Sequence, residues 1–214
     1  MPTKAQLLPV PQLVNERDLP RVPQQAHSRT KRDALLAAAL ALFGEHGYET
    51  VKIEEIATHA GSGVGTFYAY FRSKQQLLVV LMQRYLEAML ALDLLTVDRT
   101  QSLLAIISQA VRRAFVPDRA YAGLWRAWRE AAVVDPDLTA IDRQITAWMD
   151  TNVVVLIENF AMLAPLRSDL DRQATATVMN AMLLQLSQQP LLQSDAVLEA
   201  AAKMIYHALF VERD

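Results

Sequence analysis

The sequence predicts an all-α fold of about nine helices, and three observations carry that prediction. Apolar residues recur at helical spacing, and no run of alternating β-branched residues lies between turn signals. Five of the six glycines fall between Gly44 and Gly65, with the sixth at Gly123, so tight turns concentrate in one short stretch. Pro117, Pro136, Pro165 and Pro190 then break the remainder at helix length. The chain has 214 residues, 52% of them apolar, which is enough for one domain or two small ones with a real core. A charged fraction of 21% excludes a chain disordered throughout. The absence of cysteine excludes a disulfide scaffold, thiolate zinc sites and a cysteine nucleophile. The longest apolar run, Ala34 to Phe43, is far short of the roughly 20 residues that span a bilayer. Residues 1–23 lack the apolar core of a signal peptide, so the expectation is a cytoplasmic protein with no membrane partner.

Residues 1–27 read as a flexible N-terminal arm, because five prolines lie in the first 23 residues with no apolar periodicity between them. Ser28 or Thr30 is placed to cap a first helix, whose Leu36, Ala39, Leu40 and Phe43 share one face. Gly44 and Gly47 end it. Thr50 is placed to cap a short second helix with Ile53, Ile56, Ala57 and Ala60 on one side, and Gly61 stops it. A third helix runs from Val64 to Phe71. Ser73 and Gln76 make a capping box for a fourth, with Leu77, Leu81, Tyr85, Ala88 and Leu92 as its buried stripe. Further helices are predicted at 100–115, 117–134, 137–163, 168–188 and 194–211.

Two short helices joined by a glycine-containing turn, with a first helix across them, are the arrangement of a helix-turn-helix. Phe67 and Phe71, four residues apart, bury together and pin the third helix. That leaves Val64, Gly65, Tyr68 and Ala69 on another face, with Thr66 and Tyr70 beside it. Two hydroxyl types and two very small residues suit close approach to a DNA groove, with hydroxyls on phosphate oxygens and methyls on thymine. Lys74, in the first turn of the fourth helix, opposes that helix's dipole and makes more sense holding a phosphate. Residues 1–74 carry a net charge of +2 and residues 75–214 of −4, an asymmetry that agrees with this placement.

Residues 35–78 closely resemble the DNA-binding domain of the TetR family of bacterial transcriptional regulators. Phe43, Gly47, Thr50, Ile53, Ile56, Ala57, Ala60, Gly61, Gly65, Thr66, Tyr68, Phe71, Lys74 and Leu77 carry the resemblance. It implies a three-helix DNA-binding domain over 28–74 and an effector-binding and dimerisation domain over 75–214. It also implies a homodimer on palindromic operator DNA, most often as a repressor. Thr50, Lys52 and Ser62 join the third-helix face as expected DNA contacts. One departure is Ser62-Gly63, where the family often has Val-Ser; glycine is a tolerable cap, but a serine contact from position 63 is lost.

Competing readings fare worse on chemistry. Gly61 to Thr66 lacks the third glycine of a dinucleotide loop and follows a helix, and it lacks the Lys-Ser/Thr of a P-loop. His27, His46, His59 and His207 have no metal spacing, so no metal or cofactor is expected. No nucleophile motif appears, so the chain is not expected to be an enzyme, and a pure interaction module would not need a Tyr/Thr-rich exposed helix. A regulator without a small-molecule effector is the remaining alternative.

In the C-terminal body, Phe115, Trp125, Trp128 and Trp148 are either ordinary core or the lining of an apolar effector pocket between helices. Asn152 and Asn159 flank the apolar run Val153–Ile157 and Asn180 interrupts another, and a buried amide needs a partner, which a ligand can supply. The stretches "TAWMDTNVVVLIEN" and "QATATVMNAMLL" resemble the mycobacterial repressors of ethionamide activation within the same family. That resemblance implies that Trp148 and Asn180 line the pocket and that the effector is small and mostly apolar; Asn152 joins the candidate ligand-binding residues as one of these amides. Val178, Met182, Val197, Ala201, Met204, Ile205 and Ala208 form the stripes expected of a dimer interface. The arm's Lys4, Arg17 and Arg21 lead into Arg29, Lys31 and Arg32, so the arm is either an untethered tail or a minor-groove reader.

Overall fold

The computed structural model describes residues 6–15, 19–20, 26–92, 94, 98, 100–189 and 194–211. Among them are ten α-helices and no strand. They are α1 (Ala26–His46), α2 (Ile53–His59), α3 (Val64–Tyr70), α4 (Lys74–Leu90), α5 (Leu103–Ala114), α6 (Val116–Ala120), α7 (Leu124–Val134), α8 (Pro136–Ala161), α9 (Arg172–Gln188) and α10 (Asp195–Leu209). No helix among these residues is long and apolar enough to cross a membrane. Lys4, Arg17 and Arg21 lie outside the described residues.

Local chemistry accounts for most of the boundaries. Ser73 Oγ accepts from the Gln76 amide at 3.1 Å, as its spacing predicts, although Gln76 Oε1 turns to Arg72 N instead of Ser73 N. Ser102 and Asp171 cap α5 and α9 in the same way, accepting from Ala105 N and Ala174 N. Three expectations are corrected. The first helix begins at Ala26, so Ser28 and Thr30 lie inside it. Thr50 does not cap α2: its hydroxyl donates back to His46 O at 2.6 Å, and the cap is Lys52, whose N–H donates to Glu55 Oε2 at 2.7 Å. The single helix expected over 117–134 is two helices, α6 and α7, broken before Gly123, which has φ +84°. That left-handed backbone cannot continue a helix.

Packing divides the chain into two compact units, and not at residue 75. One unit comprises Pro11–Glu87 and Tyr121–Asp142. Its core includes Leu35, Phe43, Ile56, Phe67, Phe71, Leu77, Tyr85 and Trp128, each at most 1% exposed. The helix α7, remote in sequence, packs on α1 in this unit. A Cβ built on Gly123 would lie 2.4 Å from Gly44 Cα, so only glycine fits where the start of α7 meets α1. Glu130 of α7 accepts the Tyr48 N–H at 2.6 Å and pairs with Arg126 at 3.0 Å, which ties α7 to the turn after α1.

The other unit comprises Met1–Val10, Ala88–Ala120 and Arg143–Asp214. Phe115, Ile157, Phe160, Ala202, Ile205 and Leu209 are in its core. Arg112 of α5 pairs with Asp195 and with Glu199 of α10, so its charge is answered by protein carboxylates. Ala201 and Ile205 face this core, at 4% and 3% exposure, and are not part of an outer stripe.

Candidate nucleic-acid interface

The turn between α2 and α3 is closed by backbone bonds from Gly61 N to Thr58 O and Ser62 N to Ala57 O, at 3.0 and 2.9 Å. Gly61 has φ +64°, the left-handed conformation that ends α2. Gly63 caps α3 with an extended backbone, and Thr66 N donates to Gly63 O at 2.8 Å. Phe67 and Phe71 are fully buried with ring centroids 5.7 Å apart, so they fix which face of α3 points out. The Arg32 guanidinium of α1 lies 5.8 Å from the Phe71 ring centroid, a cation–π contact at the end of α3.

The outward face is the one that the spacing predicts, with one correction. Gly65, Tyr68 and Ala69 are exposed, and Ser62, Val64 and Thr66 are partly exposed. A Cβ on Gly65 would meet no atom within 4 Å, so the space in front of this helical glycine is open. Tyr68 is 50% exposed and Tyr70 is 3% exposed. Tyr70 therefore belongs to the core: it stands three residues after Phe67, which puts it on the same side of the helix. Thr50 and Lys52 are exposed on the turn before α2, and Ser62 Oγ donates to Ala57 O at 3.3 Å. Arg72, exposed just beyond α3, is a cation beside this face that the sequence reading passed over, because it belongs to no helix pattern.

Lys74 stands apart from the rest of this set. Its Nζ donates to Tyr48 O at 2.6 Å and Val51 O at 2.8 Å, and reaches Glu49 O at 3.4 Å. The same ammonium lies 4.2 Å from the Tyr48 ring centroid. Burial lowers its pKa, opposed by the Glu49 and Glu55 carboxylates. Burial, with the Glu49 and Asp135 charges, pushes the Tyr48 phenol up to about 12. The ammonium thus fastens the turn between α1 and α2 from inside.

The six residues expected around an effector are divided between the units. Trp125 and Trp128 are buried in the first. Trp128 Nε1 donates to Asp142 at 2.8 Å, while Trp125, edge-on to Tyr85 at 5.6 Å, has a buried Nε1 with no partner among the described residues. Phe115, Trp148, Asn152 and Asn180 belong to the second. The Asn180 amide donates to Asp150 Oδ1 at 2.6 Å, and Thr177 Oγ1 donates to the other oxygen of Asp150 at 2.9 Å. The protein therefore supplies the Asn180 amide with an acceptor.

Residues 35–81 match the family described as bacterial regulatory proteins, tetR family. These residues form a tetR-family domain. The chain is also 42% identical over 59 residues to the HTH-type transcriptional repressor KstR of Mycolicibacterium smegmatis, a match covering 28% of this chain and 29% of that one. It therefore spans under a third of that relative's length. Two solved structures extend the likeness of fold well beyond the tetR-family domain. SmeT of Stenotrophomonas maltophilia, in complex with triclosan, has a TM-score of 0.64 at 20% identity, covering 85% of this chain and 92% of that one. Reduced NemR of E. coli has the same TM-score and identity, covering 84% and 96%. The matched relatives bear names of transcriptional repressors and regulators, not of enzymes.

Proposed function

We propose that this tetR-family chain is a transcriptional repressor that binds a palindromic operator as a homodimer through the α3 face and is released by a small, mostly apolar effector. The open space in front of Gly65, flanked by exposed Tyr68 and Ala69, carries the DNA reading. A glycine inside an exposed helix costs stability of about 0.5–1 kcal/mol relative to alanine, which close approach of another surface offsets. Gly65→Ala is therefore expected to raise unfolding free energy by about that amount while weakening operator binding. Thermal melts and gel shifts on one preparation read the two opposite signs. Tyr68→Phe is expected to leave the melting temperature unchanged and weaken the operator complex about three- to tenfold, through one lost hydroxyl bond. Selection from random duplexes that enriches no motif overturns the DNA reading.

The dimer reading rests on outward apolar stripes. On α9, Ala174, Val178 and Ala181 are exposed; on α10, Ala200, Met204 and Ala208 are exposed. Small residues between Val178 and Met204 suit close helix packing against a second copy, and two recognition helices then reach half-sites about 34–36 Å apart. The effector reading rests on Trp125: a buried indole N–H without an acceptor is a place for a ligand's oxygen. Trp128, in the same unit, remains its proposed companion. The complex of SmeT with triclosan is a precedent for such a ligand on the same fold. Release requires that the effector bind one conformation better than the other.

A further inference from the structure

Residues 6–10 do not run free of the body. The Leu8 N–H donates to Asn152 Oδ1 at 2.8 Å, and Trp148 Nε1 donates to Pro9 O at 2.8 Å and Leu8 O at 3.3 Å. Trp148 and Asn152 stand four residues apart on α8 and so lie on one face of it. The Asn152 amide nitrogen is bonded to Trp148 O at 2.9 Å, which turns its oxygen outward toward Leu8. One side chain thus presents a fixed acceptor, and the other presents a fixed donor.

The contacts read backbone, not side chains: Leu8 itself is 41% exposed. Leu8 and Val10 each precede a proline, which disfavours helical backbone at both, so their amide and carbonyl groups are not committed to the hydrogen bonds of a helix. We propose that Trp148 and Asn152 form a binding site for extended peptide amides, occupied here by the chain's own arm. Its ligands are molecules that offer a secondary amide N–H to Asn152 and a neighbouring carbonyl to Trp148. A ligand of that class frees residues 6–10 from α8. The assignment does not depend on the effector reading, since every contact lies within one unit and none involves Trp125.

The test uses full-length protein and the indole N–H resonance of Trp148, assigned with Trp148→Phe. Leu8→Pro removes the donated N–H without touching α8 and is expected to shift that resonance, whereas Leu8→Ala keeps the N–H and the resonance. The probe is the capped pentapeptide acetyl-Gln-Leu-Leu-Pro-Val-amide. It is expected to restore the resonance in the Leu8→Pro protein and to leave it in place in the wild type, where peptide and arm offer Trp148 and Asn152 the same groups. A resonance unchanged by Leu8→Pro overturns the docked arm. Failure of the peptide at several millimolar to shift the variant overturns the ligand class. Release of operator by an apolar compound with the Trp148 resonance unmoved leaves the effector reading standing and places that effector elsewhere.

Discussion

Gly123→Ala is expected to lower the unfolding free energy by about 4 kcal/mol, from two effects that add at one atom. The backbone at φ +84° disfavours any L side chain by about 1–2 kcal/mol. The new methyl also meets Gly44 Cα at 2.4 Å and Gly44 N at 3.0 Å, backbone atoms that cannot rotate away, at about 1–3 kcal/mol. Relief requires the start of α7 to move off α1, which pulls Glu130 from the Tyr48 N–H it now accepts. For a chain of this size the melting temperature should fall by roughly 8–16 °C. Calorimetry or urea unfolding decides it, and a loss under 1 kcal/mol contradicts the close approach. Gly65→Ala is the contrast: the same substitution in open space with ordinary helical backbone, and the opposite sign.

Lys74→Met is expected to cost about 2–4 kcal/mol of stability, because the aliphatic stem remains while the two close carbonyls, of Tyr48 and Val51, lose their ammonium donor. Operator affinity should fall with it, since the loosened turn leads directly into α2. A lysine that served only as a phosphate contact would behave differently. Its loss would leave the melting temperature in place and flatten the dependence of log affinity on log salt by about one unit. Measuring melting temperature and salt slope on the same variant separates the two outcomes. Lys74→Arg is not expected to rescue, because a planar guanidinium fork does not match carbonyls that surround a single point.

The all-helical fold was legible because helix periodicity and capping are local. Leu36, Ala39 and Phe43, then Ile56 with Ala57, then Phe67 with Phe71 appear in the sequence as stripes and lie in the structure as buried faces. The outward set Gly65, Tyr68 and Ala69 follows by subtraction, and Ser73 announces α4 within four residues. Tyr70 departs from the outward face because a tyrosine is amphipathic, and its three-residue offset from Phe67 decides its burial more than its hydroxyl does.

What only the tertiary structure decided are choices of partner made across long separations. Lys74 has a stem long enough to reach either a phosphate or the carbonyls 23 to 26 residues earlier, and nothing local to residue 74 says which. Asn180 meets Asp150 from another helix, and Trp148 meets an arm almost 140 residues away in sequence. Gly123 showed its meaning only once Gly44 stood against it. The sequence by itself determined where the helices lie, which residues turn the chain and which face of α3 is free, since each follows from backbone propensity and spacing within a few residues. The pairing of polar groups, and the membership of α7 in the unit that carries the tetR-family domain, depend on which backbones packing brings within 3 Å, and that is a property of the folded chain alone.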